Sequence, residues 1–298
     1  TGIYLEEITD RTSCQVLLDY WVSSLSHAGL EVTGMRLARF DGLKLPDLKD
    51  KPCPYVGLDA FRNQDFFFGR EADTQQLLSQ VHQAPLVIVL GASGSGKSSL
   101  VMGGVLPALP GSEAGPGLIV VPPFVPGNAV LESLAKSVLQ DVPNAGDHVR
   151  EAAELLLNNP RHLSLMVGGA EAPPTLITID QFEEVFTLAT PTDREALVSN
   201  LGQLLEAGRG HRVILTVREE FRSRIVELRA LSPYLDKAWY SMRPMSYDEL
   251  KAAVERPAAL VNLQFQSGIV DDLVKKVLGQ PAALPLLQFT LRMLWEKR

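Results

Sequence analysis

Five consecutive aliphatic residues, from Leu86 to Leu90, run straight into Gly91-Ala-Ser-Gly-Ser-Gly96-Lys97-Ser98-Ser99. The run is short, β-branched and uncharged, as suits a strand buried on both faces, and the segment after it fits G-x-x-x-x-G-K-[ST]. Glycines at Gly91, Gly94 and Gly96 let the backbone turn through conformations closed to other residues, so that successive N–H groups, including those of Ser93 and Ser95, converge on phosphate oxygens. Lys97 is placed to reach the β- and γ-phosphates, and Ser98 to offer a hydroxyl to Mg²⁺. Ser99 belongs to the helix that starts there with its positive end toward the anion. Strand, loop and helix in this order point to an α/β chain that binds a nucleoside triphosphate.

Composition sets the limits around that motif. The 298 residues are 46% hydrophobic and 21% charged, ordinary for a globular chain and long for one compact domain. A net charge of −7 offers no general basic field to nucleic acid, so DNA or RNA is disfavoured as a partner. Cys14 and Cys53 are too isolated for a disulfide framework or a metal site, and as reduced thiols they fit a cytoplasmic location. No apolar run reaches the roughly 18 residues a bilayer crossing requires, and the start lacks a basic-then-apolar signal segment, so no membrane is expected. The chain begins at Thr1 and stops inside an amphipathic pattern, which reads as a piece of something longer.

The first 45 residues read as strand (from Ile3), helix (Val16, Leu17, Tyr20, Trp21 and Leu25 at helical spacing) and strand (Glu31 to Phe40), the remnant of an upstream α/β domain. Tyr20 and Trp21 are read as core residues. Pro, Gly and alternating charges from Asp41 to Pro54 suit a linker, placed at 46–56. A nucleotide-binding domain follows over 57–243. Helices are expected near 72–82, 129–139 and 149–158. Strands are expected at Leu86–Leu90, Leu118–Val121 (buried), Thr175–Ile179 and Arg212–Val217. A Pro/Gly-rich stretch from Pro107 to Gly117 is expected to break the chain, and Thr192 with Glu195 forms a capping box for a helix running to about Ala207. Alternation of this kind predicts a parallel sheet with helices on both faces. From Ser246, which pairs with Glu249 in a second capping box, only helices are expected, near 247–255, 270–278 and 284–297, making a small helical subdomain over 244–298.

A phosphate loop needs a carboxylate for the Mg²⁺ shell at the end of a neighbouring strand, and Asp180, about eighty residues on, stands at the end of Thr175–Ile179. Many ATPases place a Glu directly after that Asp; here the position is Gln181, so either Glu183 or Glu184 orients or deprotonates water through a tight turn, or hydrolysis is slow. Both acids also suit the first turn of a helix. Arg218 ends the strand Arg212–Val217, expected to lie beside the loop's own strand, where a guanidinium can report on the γ-phosphate. Arg222 and Arg224 read as solvated helix charges.

Phe68-Gly69-Arg70-Glu71, the phosphate loop, Ile179-Asp180-Gln-Phe-Glu-Glu184, Val217-Arg218 and Leu284-Pro285 through Trp295 together resemble the STAND class of signalling ATPases, in particular its bacterial multidomain "novel STAND" branch, related to the NACHT and AP-ATPase families. The entry segment from Cys53 to Phe68 is similar to that branch as well, so the likeness spans 53–298. It implies a P-loop NTPase sheet followed by a helical domain, with ATP or ADP and Mg²⁺ as ligands. It places Gly69 and Arg70 beside the adenine, counts Phe68 among the cofactor-binding residues, and sets Pro285 against the base or ribose, although a proline opening a helix reads equally well there. It further implies a slow switch that self-associates on activation and answers to effector and sensor domains in a longer chain.

Three functions follow: a slow Mg²⁺-dependent ATPase switch, with Lys97, Asp180, Glu183, Glu184 and Arg218 at work; a nucleotide-binding scaffold that does not hydrolyse, to which Gln181 lends weight; and a DNA-associated ATPase of the origin-recognition kind, against which the acidic balance argues.

Overall fold

A computed structural model describes residues 8–27, 48, 50–113, 115, 117–142, 145–168, 173–266, 268–280 and 283–297. The strands expected near Ile3 and over 31–40, and most of the expected linker, lie outside the described residues. The chain divides into two compact units. One is built from 72–93 and 97–243, the other from 1–71, 94–96 and 244–298.

The first unit is a parallel five-stranded sheet. Its strands are β1 (Leu86–Gly91), β2 (Ile119–Val120), β3 (Thr175–Ile179), β4 (Arg212–Arg218) and β5 (Trp239–Ser241), in the order β2-β3-β4-β1-β5. β1, β3 and β4 are the strands with apolar runs, and they fill the centre because each must bury both faces. Leu86, Ile88, Leu90, Ile177, Ile179, Val213, Leu215 and Val217 share one face and pack under Val130–Val138, Ala145–Asn158 and Pro191–Glu206. The alternate residues, Val87, Val89, Leu176, Thr178, Ile214 and Thr216, are buried on the other face, and the segment after the phosphate loop packs against β1 and β4.

Several expectations need correction. Leu118–Val121 is no buried strand: only Ile119 and Val120 are strand residues, and both are exposed because β2, among the described residues, is an edge paired with β3. β5 went unforeseen, since three residues of mixed polarity leave no period-2 signal; it forms by pairing along β1. The chain does not break at Pro107. Lys97–Ser99 is α-helical, Leu100–Val105 widens into a π-helical stretch, and helical turns continue through Pro107 to Gly111. The widening ahead of Pro107 eases the clash its ring would make with the carbonyl four residues back. The helix Pro191–Glu206 is capped two residues early: Thr190 accepts the Asp193 N–H at 3.1 Å, and Pro191 opens the helix with its φ already set.

In the second unit, helices Tyr247–Leu260, Ile269–Val277 and Ala283–Glu296 pack around Leu250, Val254, Val274, Leu287 and Leu291, with Tyr55 buried among them and donating to the Val254 carbonyl at 2.9 Å. The capping box at Ser246 and Glu249 is present in both directions. Tyr247–Leu260 runs past its expected end and carries Pro257 within it. On the helix Ile8–His27, Cys14 and Leu18 are buried and Trp21 packs against this core, but Tyr20 is 68% exposed and so no core residue.

Candidate nucleotide site

The loop after β1 takes left-handed turns at Gly94 (φ 73°) and Gly96 (φ 91°), a conformation that a side chain would strain and that turns backbone N–H groups inward. Gly91, the last residue of β1, stands opposite Arg218 on β4, so loop and arginine emerge at the same sheet edge, and Arg218 does lie beside the strand that enters the loop. Ser93 is exposed, while Ser98 and Ser99 are half-buried at the helical start.

Lys97 is 9% exposed, and its ammonium donates to the Gly91 and Ala92 carbonyls, both at 2.9 Å. Burial pushes its pKa down; Glu183 and Asp180 nearby push it up, and Arg218 lowers it further. Among the described residues no carboxylate forms an ion pair with it. A buried ammonium held only by neutral acceptors fits an incoming polyphosphate.

Ser98 donates its hydroxyl to Oδ1 of Asp180 at 2.7 Å, which joins the loop to a carboxylate 82 residues away. The strand bearing Asp180 is not the neighbour of β1 as expected: β4 lies between them. The gap is closed by Thr216 of β4, a residue the sequence reading missed. Its Oγ1 also donates to Oδ1 of Asp180 and accepts the Gln181 N–H at 2.9 Å. The available signal was periodicity, because Thr216 interrupts an aliphatic run two residues before Arg218 and therefore shares its face. Ser98 and Asp180 supply oxygen donors alone, as suits Mg²⁺, which takes one or two carboxylates and completes its shell with phosphates and water.

The two glutamates part company. Glu183 is buried and accepts from Arg218 twice, from Nε at 3.0 Å and from the backbone N–H at 3.3 Å. Glu184 is turned to the loop after β2, where its Oε2 accepts the Gly127 N–H at 2.9 Å. Gln181 sits in the left-handed region (φ 54°), and after it Glu183 and Glu184 stand at the start of the helix Glu184–Thr187, where successive side chains point about 100° apart. Arg222 and Arg224, expected as solvated charges, are exposed but lie over the rings of Trp239 and Phe186.

In the other unit, Gly69 has φ 85°, and a Cβ there would come within 2.3 Å of the Glu249 carbonyl, so only glycine fits. Its N–H donates to Glu71, whose carboxylate also holds Arg256 at 2.8 Å, and Arg256 lies over the Phe68 ring. Arg70 is buried and donates to the Ser95 carbonyl at 3.2 Å. Pro285 occupies the first turn of Ala283–Glu296, where its missing N–H costs no helical bond.

Sheet order, phosphate loop and strand-end carboxylate define a P-loop NTPase fold. Residues 54–298 match the family described as Novel STAND NTPase 1, and the chain belongs to that family. The nucleotide-binding character of STAND-type P-loop NTPases comes with it. Among solved structures it is similar to the Walker-type ATPase of Pyrococcus abyssi, with a TM-score of 0.54 and 14% identity over 81% of this chain and 75% of that one. It is similar too to the Drosophila origin recognition complex bound to DNA, with a TM-score of 0.52 and 11% identity over 91% of this chain and 65% of that one. At these identities the likeness is one of fold. No curated protein matches the chain. Among the described residues no helix is long and apolar enough to cross a membrane.

Proposed function

We propose that the protein binds ATP and ADP with Mg²⁺ and hydrolyses ATP slowly, as a switch of the STAND type. The observation that carries the reading is the Ser98–Asp180 hydrogen bond next to a buried Lys97 that, among the described residues, has no carboxylate partner. Lys97 binds the β- and γ-phosphates, and Ser98 and Asp180 hold the ion, which when bound offsets the phosphate charge. Phe68, Gly69, Arg70 and Pro285 are the residues proposed for the base and ribose.

Glu183 is the better candidate for the group that orients water, because Glu184 is engaged by Gly127. Its pairing with Arg218 supports slowness: while the guanidinium holds it, the carboxylate is unavailable as a base. A terminal phosphate competes for Arg218, so one side chain both senses the triphosphate and releases the base. The same ion pair favours the second reading, a scaffold in which nucleotide is bound and not turned over.

The domain division goes with this reading: an upstream remnant over 1–45, a linker over 46–56, the nucleotide domain over 57–243 and the helical subdomain over 244–298. So do self-association on activation, effector and sensor domains in a longer chain, and a cytoplasmic setting. The net charge of −7 offers no general basic field to a nucleic acid duplex. The test is phosphate release from ATP with Mg²⁺, set against K97A. Release above the K97A background supports the switch. Tight ATP binding with no release supports the scaffold, and no binding of either nucleotide overturns both.

A further inference from the structure

Thr216 is 1% exposed near the C-terminal end of β4, and the hydrogen-bonding atoms it turns toward β3 are committed to one turn. Its hydroxyl has one proton and receives the Gln181 N–H, so that proton is directed to Oδ1 of Asp180. Its carbonyl accepts the Phe182 N–H at 2.9 Å. These two amides follow Asp180 directly, and between them the chain takes the left-handed conformation at Gln181. The pairing of β3 with β4 stops at Ile179 and Leu215, so Asp180 and Thr216 are the next facing pair, and their side chains continue the ladder where the backbone leaves it.

The consequence lies in which carboxylate oxygen is used. Both hydroxyls, from Ser98 and Thr216, go to Oδ1. Oδ2 of Asp180 has no hydrogen bond to a described residue. Ser98 is itself proposed as a donor to the ion, so its bond to Asp180 is replaceable, whereas Thr216 lies in the strand and stays.

We propose that Thr216 is a positioning residue for the metal shell: by holding Oδ1 it presents Oδ2 of Asp180 toward the Mg²⁺ that accompanies the nucleotide. The inference rests on the proposed Mg²⁺-nucleotide reading and deepens it. A valine is nearly isosteric with threonine but lacks the hydroxyl, while serine keeps it. Loss of an outer partner of this kind lowers metal affinity about 10- to 100-fold.

The test is ATP affinity of the full chain by calorimetry, once in EDTA and once across a Mg²⁺ titration, for wild type, T216V and T216S, with thermal melts to establish folding. Competition by Mn²⁺, followed through the signal of free Mn²⁺ in electron paramagnetic resonance, reads the ion directly. The expected result is unchanged affinity in EDTA for all three proteins, a Mg²⁺ requirement raised about 10- to 100-fold in T216V, and near wild-type behaviour in T216S. An unaltered Mg²⁺ requirement in T216V overturns the proposal. So does an equal loss of affinity with and without Mg²⁺, which would mark a general effect on the fold. Wild-type protein that binds ATP in neither condition overturns the functional reading itself, and the control series separates that failure from the other two.

Discussion

Glu183 and Glu184 are adjacent in sequence and differ in everything that chemistry requires. Glu183 lies buried against Arg218, and Glu184 is tied to Gly127. E183Q is therefore expected to lower ATP turnover about 100- to 10,000-fold, the span typical of losing a general base, with ATP affinity little changed. E184Q should leave turnover within a few-fold and cost about 1 kcal/mol of stability through the weakened bond to Gly127. Single-turnover phosphate release and chemical denaturation of the two variants check both halves; equal turnover losses would mean that both acids serve.

The helix Pro191–Glu206 shows how a cap is placed by backbone conformation as well as by residue type. Thr190 and Thr192 are both plausible caps in sequence, yet Thr190 is extended (φ −65°, ψ 155°) and Pro191 follows it as the first helical residue. T190A should cost about 1 kcal/mol and T192A close to nothing, as read from urea midpoints. At the start of β4, His211 is buried, and its Nδ1 accepts the Thr175 N–H of β3 at 3.1 Å. Burial, with Arg209 nearby, holds its pKa below the usual 6.5. Well above pH 6.5 the imidazole is neutral in folded and unfolded chains alike, and its contribution is constant; as the pH falls through that value the unfolded chain takes up a proton that the folded site resists, so stability falls. The loss of urea resistance between about pH 7.5 and about pH 5.5 is expected to be smaller in H211N than in wild type.

Ligand binding to a folded site of this kind raises stability by mass action. Mg²⁺ with ATP at about 100 times its dissociation constant is expected to add about 2.7 kcal/mol, seen as an upward shift of several degrees in a thermal melt, and K97A should abolish the shift. A wild-type melt unmoved by ATP and by ADP would contradict the proposed function. Much of the sheet and the loop was legible beforehand because their signals are local: an aliphatic run long enough to bury both faces, glycines where the backbone must turn left, a serine and glutamate three residues apart at a helix start. The edge strands β2 and β5 were poorly legible, since two or three residues carry no period and their pairing is imposed by β3 and β1. The site divides in the same way. Lys97, Ser98 and Asp180 announce themselves by residue type and position after a strand. The link from Asp180 to Ser98 across an intervening strand and the hydroxyl of Thr216 that spans it depend on strand order, and the parting of Glu183 from Glu184 depends on the Arg218 and Gly127 that the fold brings to them. Those are contacts between segments far apart in the chain, and a pattern of neighbours along the sequence carries no record of them.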